Sequence, residues 1–349
     1  MTKVQMGVIG AGGIAYRRTI PAMIKAKNIR VAAVMDVSNI EKIAKEFEVP
    51  KSYHRVKDLL DDPEIEAVYI ATPVYLHLKH ITLAAEKGKH ILCEKPLAKN
   101  LKETKEAVNI CRKNRVFLQE GYMMKFHEAH KKIKEFIKKG SIGKVVYMRA
   151  QLSCWYPPIQ GAWRQEPRKG GGGALIDMAT HLYDLLEFLS GTRIKRVVAM
   201  TGNQVHNYKS EDSSTSLLEF SSGAHATVDS FFCIPDEASK TRLEIYGSMG
   251  SILTEGTIGQ GTGGMVEGIF CKEISGYDAR QSKDGVLKFQ KIPFERINPY
   301  TSECEYFANC IIRNTPPAIN NGDNALHLME VTEKAYISYK LKKILSVKG

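Results

Sequence analysis

The sequence predicts an α/β protein: a doubly wound parallel sheet first, then an α/β domain built on an open, mainly antiparallel sheet. Three observations carry this expectation. Short apolar runs alternate with helical periodicity over residues 1–120. The first run ends in a glycine-rich turn, Gly10-Ala11-Gly12-Gly13. Beyond residue 140, long strand-like runs follow one another with only short SSG and GSMG turns between them.

The apolar runs of the first part are 4–10, 29–36, 66–72, 90–95 and 116–122, with helical patterns near 13–26, 38–48, 74–87 and 100–113. Continuous apolar strands alternating with helices imply a parallel sheet covered on both faces. The pattern changes after residue 121. A helix over 127–139 ends at Gly140, which suits a helix C-terminus. Strand 143–153 leads into a long loop containing WYPP and GAWRQEPRKGGGG, and a helix over 174–189 follows. RIKRVVAMTGN, STSLLEF, AHATVDSFF and TRLEIYG then read as consecutive antiparallel strands. A glycine-rich insertion occupies 254–265, and helices near 300–313 and 323–343 close the chain. The expected division is 1–121 and 122–349, with the C-terminal helix free to pack back on the first domain.

Composition narrows the function classes. Hydrophobic content of 43% and charged content of 25% are those of a soluble globular protein. No apolar run is long enough to span a bilayer, and MTKVQMGVIGAGG lacks the parts of a signal peptide. The seven cysteines form no CxxC pair, which points to reduced thiols in a cytoplasm and away from a disulfide framework or a metal site. The net charge of +12 raises nucleic acid as a partner. Its densest stretch, HKKIKEFIKKGSIGK, instead places Ile133, Phe136 and Ile137 at helical spacing and reads as a solvated helix. Neither a membrane nor a nucleic acid is expected as partner.

Gly10, Gly12 and Ala15 match the dinucleotide pattern G-x-G-x-x-G/A where a strand turns into a helix. The first glycine permits the tight turn, the second lets backbone approach a pyrophosphate, and the small third residue allows close helix packing. Gly13 and Ile14 complete the turn. Asp36 closes the second strand, where a carboxylate binds the adenosine ribose hydroxyls and repels a 2′-phosphate. NAD is therefore expected in preference to NADP, on a fold of the Rossmann type.

Lys95 lies in Cys93-Glu94-Lys95-Pro96 at the carboxyl end of a strand, the rim where open α/β sheets bind ligands. ATPVYLH adds Thr72, Pro73 and His77 to this rim, although a lone histidine there is as a rule a cap or packing residue. GVIGAGGIA, ATPVYLH, CEKP, EGYMMKF and GGGGALIDMATHLYDL, in this order, resemble the Gfo/Idh/MocA oxidoreductases. The resemblance covers nearly the whole chain. It implies that Lys95 hydrogen-bonds the reacting hydroxyl and that Glu94 lies near the nicotinamide ribose. It also implies that Asp177 and His181 face a carbohydrate or cyclitol substrate, with Tyr122 of EGYMMKF beside them. Trp163-Arg164 resembles a tryptophan–arginine element lining the cofactor pocket. The family often has arginine where Lys125 stands, and it suggests homodimers or homotetramers formed through the open sheet.

On the helix 174–189, Leu175, Met178, Leu182, Leu185, Leu186 and Leu189 form one stripe, while Asp177, His181 and Asp184 share the opposite face. That pattern alone fits a solvated acidic side with His181 paired to Asp177. Three further expectations favour catalysis: the preceding glycines bring backbone close to a ligand, the helix N-terminus stabilises Asp177 as an anion, and a nicotinamide enzyme needs a base, for which the sequence offers no better candidate. His181 then acts as base, Lys95 stabilises the alkoxide, Asp177 orients the ring or holds a hydroxyl, and no metal is required. A non-catalytic NAD sensor, and a redox-neutral enzyme that retains its NAD, remain as alternatives. Substrate specificity is expected from 151–170, 230–240 and 254–285.

Overall fold

The continuous apolar runs of the first part form a six-stranded parallel sheet in the order β3-β2-β1-β4-β5-β6. Its strands are β1 (Val4–Ile9), β2 (Ile29–Met35), β3 (Lys51–Tyr53), β4 (Ala67–Ile70), β5 (His90–Glu94) and β6 (Leu118–Gly121). The structure is a computed structural model describing residues 2–273, 276, 277, 279 and 288–348. Five of these strands were legible. The sixth, β3, is three residues of half-exposed or exposed chain with no apolar run to announce it. Strand order reverses between β1 and β4, which opens a crevice at their carboxyl ends.

Helices α1 (Ile20–Lys25), α2 (Ile40–Glu46), α3 (Val56–Leu60), α4 (His77–Glu86) and α5 (Leu101–Lys113) accompany these strands. The helix expected over 13–26 opens with a π-type turn, Ala15–Thr19, and becomes α-helical only at α1. Pro21 sits at that transition and has no amide to give to an α ladder.

The second sheet has nine strands in the order β14-β13-β12-β11-β7-β10-β9-β8-β15. They are β7 (Val145–Ser153), β8 (Ile194–Gly202), β9 (Ser213–Phe220), β10 (His225–Phe231), β11 (Arg242–Gly247), β12 (Gly250–Glu255), β13 (Met265–Phe270), β14 (Gln290–Lys291) and β15 (Leu345–Ser346). Pairing is antiparallel except between β7 and β10, which run parallel. The remaining helices are α6 (Glu128–Lys138), the short α7 (Pro167–Gly170), α8 (Thr180–Ser190), α9 (Pro299–Ile312) and α10 (Gly322–Leu341). One sheet face is buried: Met148, Ala150, Leu218 and Ala226 pack with Ile133 of α6, Leu182 and Leu186 of α8 and Val331 of α10. The other face is open, with Val146, Met200 and Leu217 exposed. On α6, Lys131 pairs with Glu128, and Lys132 and Lys139 pair with Glu135, as a solvated helix requires. Among the described residues no helix is long and apolar enough to cross a membrane.

Two buried carboxyl groups brace the region between the sheets. Glu187 of α8 accepts from the Ile194 amide at 2.6 Å and pairs with His327 and Arg193, fastening α8 to β8 and α10. Glu120 of β6 is 3% exposed, and its Oε1 accepts from the Leu97 amide at 2.7 Å, holding the turn that leaves β5. Burial pushes the Glu120 pKa up to about 8, well above an ordinary glutamate. The native state therefore holds a proton there that the unfolded chain has released, so Glu120 lowers stability as pH rises from its unfolded value through about 8. Glu120→Gln, which cannot ionise, is expected to gain at least about 1 kcal/mol on the native protein between pH 5 and pH 8. Paired urea unfolding curves at the two pH values measure this; parallel pH dependence in both proteins refutes it.

Candidate active site

Gly10 ends β1 with φ +86°, and a Cβ there would lie 2.8 Å from the Thr72 amide nitrogen. Glycine at this position lets the end of β4 come against the turn. The Gly10 and Ala11 amides donate to the Met35 carbonyl at 2.9 and 3.0 Å, tying the turn to β2. The Gly12 amide donates to Asp36 Oδ2 at 2.9 Å, and Asp36 Oδ1 accepts from the Val37 amide at 2.7 Å. Gly13 faces open space: nothing lies within 4 Å of where its Cβ would be. Open backbone before a helical turn, flanked by a half-buried carboxylate, fits a dinucleotide. Gly12, Gly13 and Ile14 would hold its pyrophosphate and Asp36 its ribose. The Ile14 side chain packs towards the core of the second sheet.

Thr72 and Pro73 line the facing rim, half-buried, and Thr72 Oγ1 bonds His80 Nδ1 at 3.1 Å. His77, named with them as a cofactor-binding candidate, is the most enclosed of the three. It is 1% exposed, with Nδ1 3.0 Å from the Pro96 carbonyl and Nε2 2.7 Å from that of Thr72. Burial pushes its pKa down to about 4. The ring lies between the β4 and β5 exits and, being neutral, can donate to only one of these two carbonyls.

At the end of β5, Glu94 Oε1 accepts from the Tyr69 hydroxyl, which also bonds Thr19 Oγ1. Lys95 Nζ donates to the Asp177 carboxylate at 3.0 Å and to the Asp177 carbonyl at 2.7 Å. Arg164 Nε reaches the same carboxylate oxygen at 3.2 Å, while its guanidinium lies 4.2 Å from the Trp163 ring centre. Burial alone would raise the Asp177 pKa, but the Lys95 ammonium and the Arg164 guanidinium outweigh it and hold the carboxyl well below the usual range. Two side-chain cations, rather than the helix N-terminus, keep Asp177 ionised.

His181 follows one turn later. Burial, and then the Lys95 ammonium, push its pKa well below that of an ordinary histidine, so the ring is neutral at pH 7. Its Nδ1 is buried without a partner, and Asp177 makes its hydrogen bonds to Lys95 and Arg164 instead. Tyr122, expected at the substrate, is 1% exposed and meets the His181 ring edge-on, with centroids 5.5 Å apart. Asp184 also leaves the expected cluster. It is 1% exposed and bonds Lys125 Nζ at 2.6 Å and Asn324 Nδ2 at 2.9 Å. The glycine run meets protein rather than ligand: a Cβ on Gly172 would lie 2.0 Å from the Tyr336 hydroxyl, and one on Gly173 1.9 Å from the Glu211 carbonyl.

Residues that the sequence reading passed over include Glu120, Tyr69, Glu211 and Tyr336. Only Glu120 carried a signal, an acid inside the apolar run VFLQEGY. Of the segments expected to set specificity, 151–170 supplies Trp163 and Arg164. Segment 230–240 supplies Phe232, which packs with Met178, and 254–285 sends Gln260 to Arg18 at 3.1 Å. Residues 274, 275, 278 and 280–285 lie outside the described residues.

Comparison with known proteins agrees with this architecture. Residues 4–122 match the model of an oxidoreductase family with an NAD-binding Rossmann fold, and 130–253 match the GFO/IDH/MocA C-terminal domain. A 1,5-anhydro-D-fructose reductase of Ensifer adhaerens is 31% identical over 71% of this chain and 74% of its own. The scyllo-inositol 2-dehydrogenase (NAD(+)) of Bacillus subtilis (strain 168) is 28% identical over 93% of this chain and 91% of its own. The crystal structure of aldose-aldose oxidoreductase from Caulobacter crescentus, complexed with glycerol, superposes with a TM-score of 0.86 at 21% identity, covering 99% of this chain and 100% of that one. The chain belongs to the Gfo/Idh/MocA family of oxidoreductases and carries its NAD-binding Rossmann domain.

Proposed function

We propose that the protein is an NAD-dependent dehydrogenase that moves a hydride between the nicotinamide and a secondary ring hydroxyl of a sugar, glycoside or cyclitol. The observation that carries this reading is the meeting of Lys95 with Asp177, 82 positions apart in sequence, beside a neutral His181. Relatives that are an anhydrofructose reductase and an inositol dehydrogenase support the substrate class.

When bound, the nicotinamide supplies the acceptor for the hydride leaving the substrate carbon. The chain's own residues do the rest. Lys95 donates to the substrate oxygen and stabilises the charge that develops there. His181, neutral, takes the hydroxyl proton. Asp177 fixes the Lys95 ammonium and offers an acceptor to a neighbouring substrate hydroxyl, a demand that a ring polyol meets and a linear 2-hydroxy acid does not. With His181 neutral, Lys95, Arg164 and Asp177 leave the site with one net positive charge, which suits an alkoxide. Glu94, braced by Tyr69, would hold the nicotinamide ribose, and Trp163 with Arg164 would line the cofactor pocket. The exposed Val146, Met200 and Leu217 support a homodimer or homotetramer assembled on the open sheet face.

Three measurements test this reading. A panel of sugars, glycosides, inositols, sugar acids and 2-hydroxy acids is expected to yield NADH with ring polyols or their glycosides. Activity confined to linear hydroxy acids overturns the substrate class, and a silent panel with NAD bound to the purified protein favours a redox-neutral cycle.

Lys95→Ala and His181→Ala should each lower kcat by roughly 10²–10⁴-fold with NAD binding retained. The acid limb of wild-type kcat/KM should fall below pH 6.5, since a depressed pKa keeps the base free at lower pH. Near-normal turnover in His181→Ala would remove it from the role of base.

Asp36→Ser should weaken NAD binding and relieve the rejection of NADP. A wild type using NADP as well as NAD contradicts the role given to Asp36.

A further inference from the structure

A helix leaves its first amides without partners inside the helix, and they must be satisfied from outside. At the helix carrying Asp177 and His181 the partners are all protein. The Gly173 and Leu175 amides donate to one carboxylate oxygen of Glu211, Oε1, at 2.8 and 3.1 Å. The Ala174 amide donates to the Glu211 backbone carbonyl at 3.0 Å. The Ile176 amide donates to the Tyr336 hydroxyl at 3.3 Å, and that hydroxyl donates to Glu211 Oε1 at 2.7 Å. Only with Asp177, whose amide reaches the Gly173 carbonyl at 3.0 Å, does the segment begin to bond to itself.

This arrangement is bound to the reacting groups by spacing. Asp177 is the next residue after the four held amides, and its carboxylate must arrive within 3.0 Å of Lys95 and 3.2 Å of Arg164. The segment that carries it, Leu175–Ala179, has π-type rather than α-type bonding, so its rotation and depth are set less by its own ladder than an α-helix would set them. Glu211 comes from the connection between β8 and β9, and Tyr336 from α10, so two distant pieces of chain fix where the turn starts. Gly172 and Gly173 are the counterpart in sequence, since any side chain there would displace the Tyr336 hydroxyl or the Glu211 carbonyl.

We propose that Glu211 and Tyr336 are positioning residues for hydride transfer, holding the 173–176 amides so that Asp177 and His181 stand against Lys95. The proposal rests on the dehydrogenase reading above for its kinetic test, while its spectroscopic test needs no turnover.

The variants are Glu211→Ala, Glu211→Gln and Tyr336→Phe in the full chain. Each is measured for kcat and KM with the best ring polyol of the panel, for NAD dissociation constant and for unfolding midpoint. Glu211→Ala is expected to lose roughly 10–100-fold in kcat, the scale of a misplacement near 1 Å, with the NAD dissociation constant changed by no more than about twofold because the cofactor turn lies on other elements. Glu211→Gln keeps the accepting oxygen and should recover most of the loss. Tyr336→Phe, which removes a single hydroxyl, should fall between them. In parallel, NMR titration of His181 requires no turnover: loosening the cap should move its titration from the depressed value towards that of a free histidine. Folded variants with unchanged kcat and unchanged His181 titration overturn the proposal, as do losses that merely track the fraction folded. Should Glu211→Ala fail to fold, Tyr336→Phe decides by the same two readouts. A wild type that oxidises no polyol overturns the dehydrogenase reading instead, and the His181 titration then decides the positioning role by itself.

Discussion

Lys95 and Asp177 hold each other across the meeting of the two sheets, and most of the surrounding structure serves that ion pair. Both charges are largely withdrawn from water, with side chains 12% and 21% exposed, and such burial is costly unless the geometry repays it. Repayment is visible on both sides. Lys95 also bonds the Asp177 carbonyl, and Asp177 also bonds Arg164. The turn that launches Lys95 is gripped by His77 at Pro96 and by Glu120 at Leu97. Charges held so firmly keep their direction when a substrate arrives, which is the condition for electrostatic stabilisation of a developing alkoxide.

Features that depend on neighbouring residues in the chain were legible in the sequence. The five longer parallel strands, the glycine turn with Asp36 beside it, and the family motifs around Lys95, Asp177 and His181 all announce themselves locally. Short polar β3 did not, because a three-residue edge strand needs no apolar run. Asp184 finds its partners in Lys125 and in Asn324 of α10, residues far off in sequence that a helical wheel does not include. The resemblance sets Tyr122 beside the substrate; its edge-on contact with His181 and its place in the core are matters of packing, which spacing does not encode. The glycine run had the right cause, close backbone approach, with the wrong object. What approaches is Glu211 and Tyr336, residues 38 and 160 positions away from those they hold.

Several buried acids remain around this centre. Glu94, Glu120, Asp184 and Glu303 all have pKa values raised by burial, and Lys125 is the buried cation among them. A group of this kind cannot be fully ionised at neutral pH, since like charges in a dry interior repel too strongly. It is a polar interior in which burial works against charge, immediately behind the Lys95–Asp177 pair. The separation is physical: Lys95 and Arg164 stand at the cleft, and burial disfavours ionisation of the acids behind them.

α10 gives the molecule a mechanical character. It packs along α5 of the first sheet layer, where Asp323 pairs with Arg112 and Glu333 takes the Leu101 amide, and it lies equally on β8 of the second sheet. One rigid rod is therefore fastened to both bodies along its length. Swinging them apart about a hinge would tear one set of these contacts, whereas sliding by a fraction of a side chain would keep both. The glycine-rich strap, fastened to the first layer by the bond between Arg18 and Gln260, has no such rod along it, so relative movement is expected in loops of that kind before it is expected between the sheets.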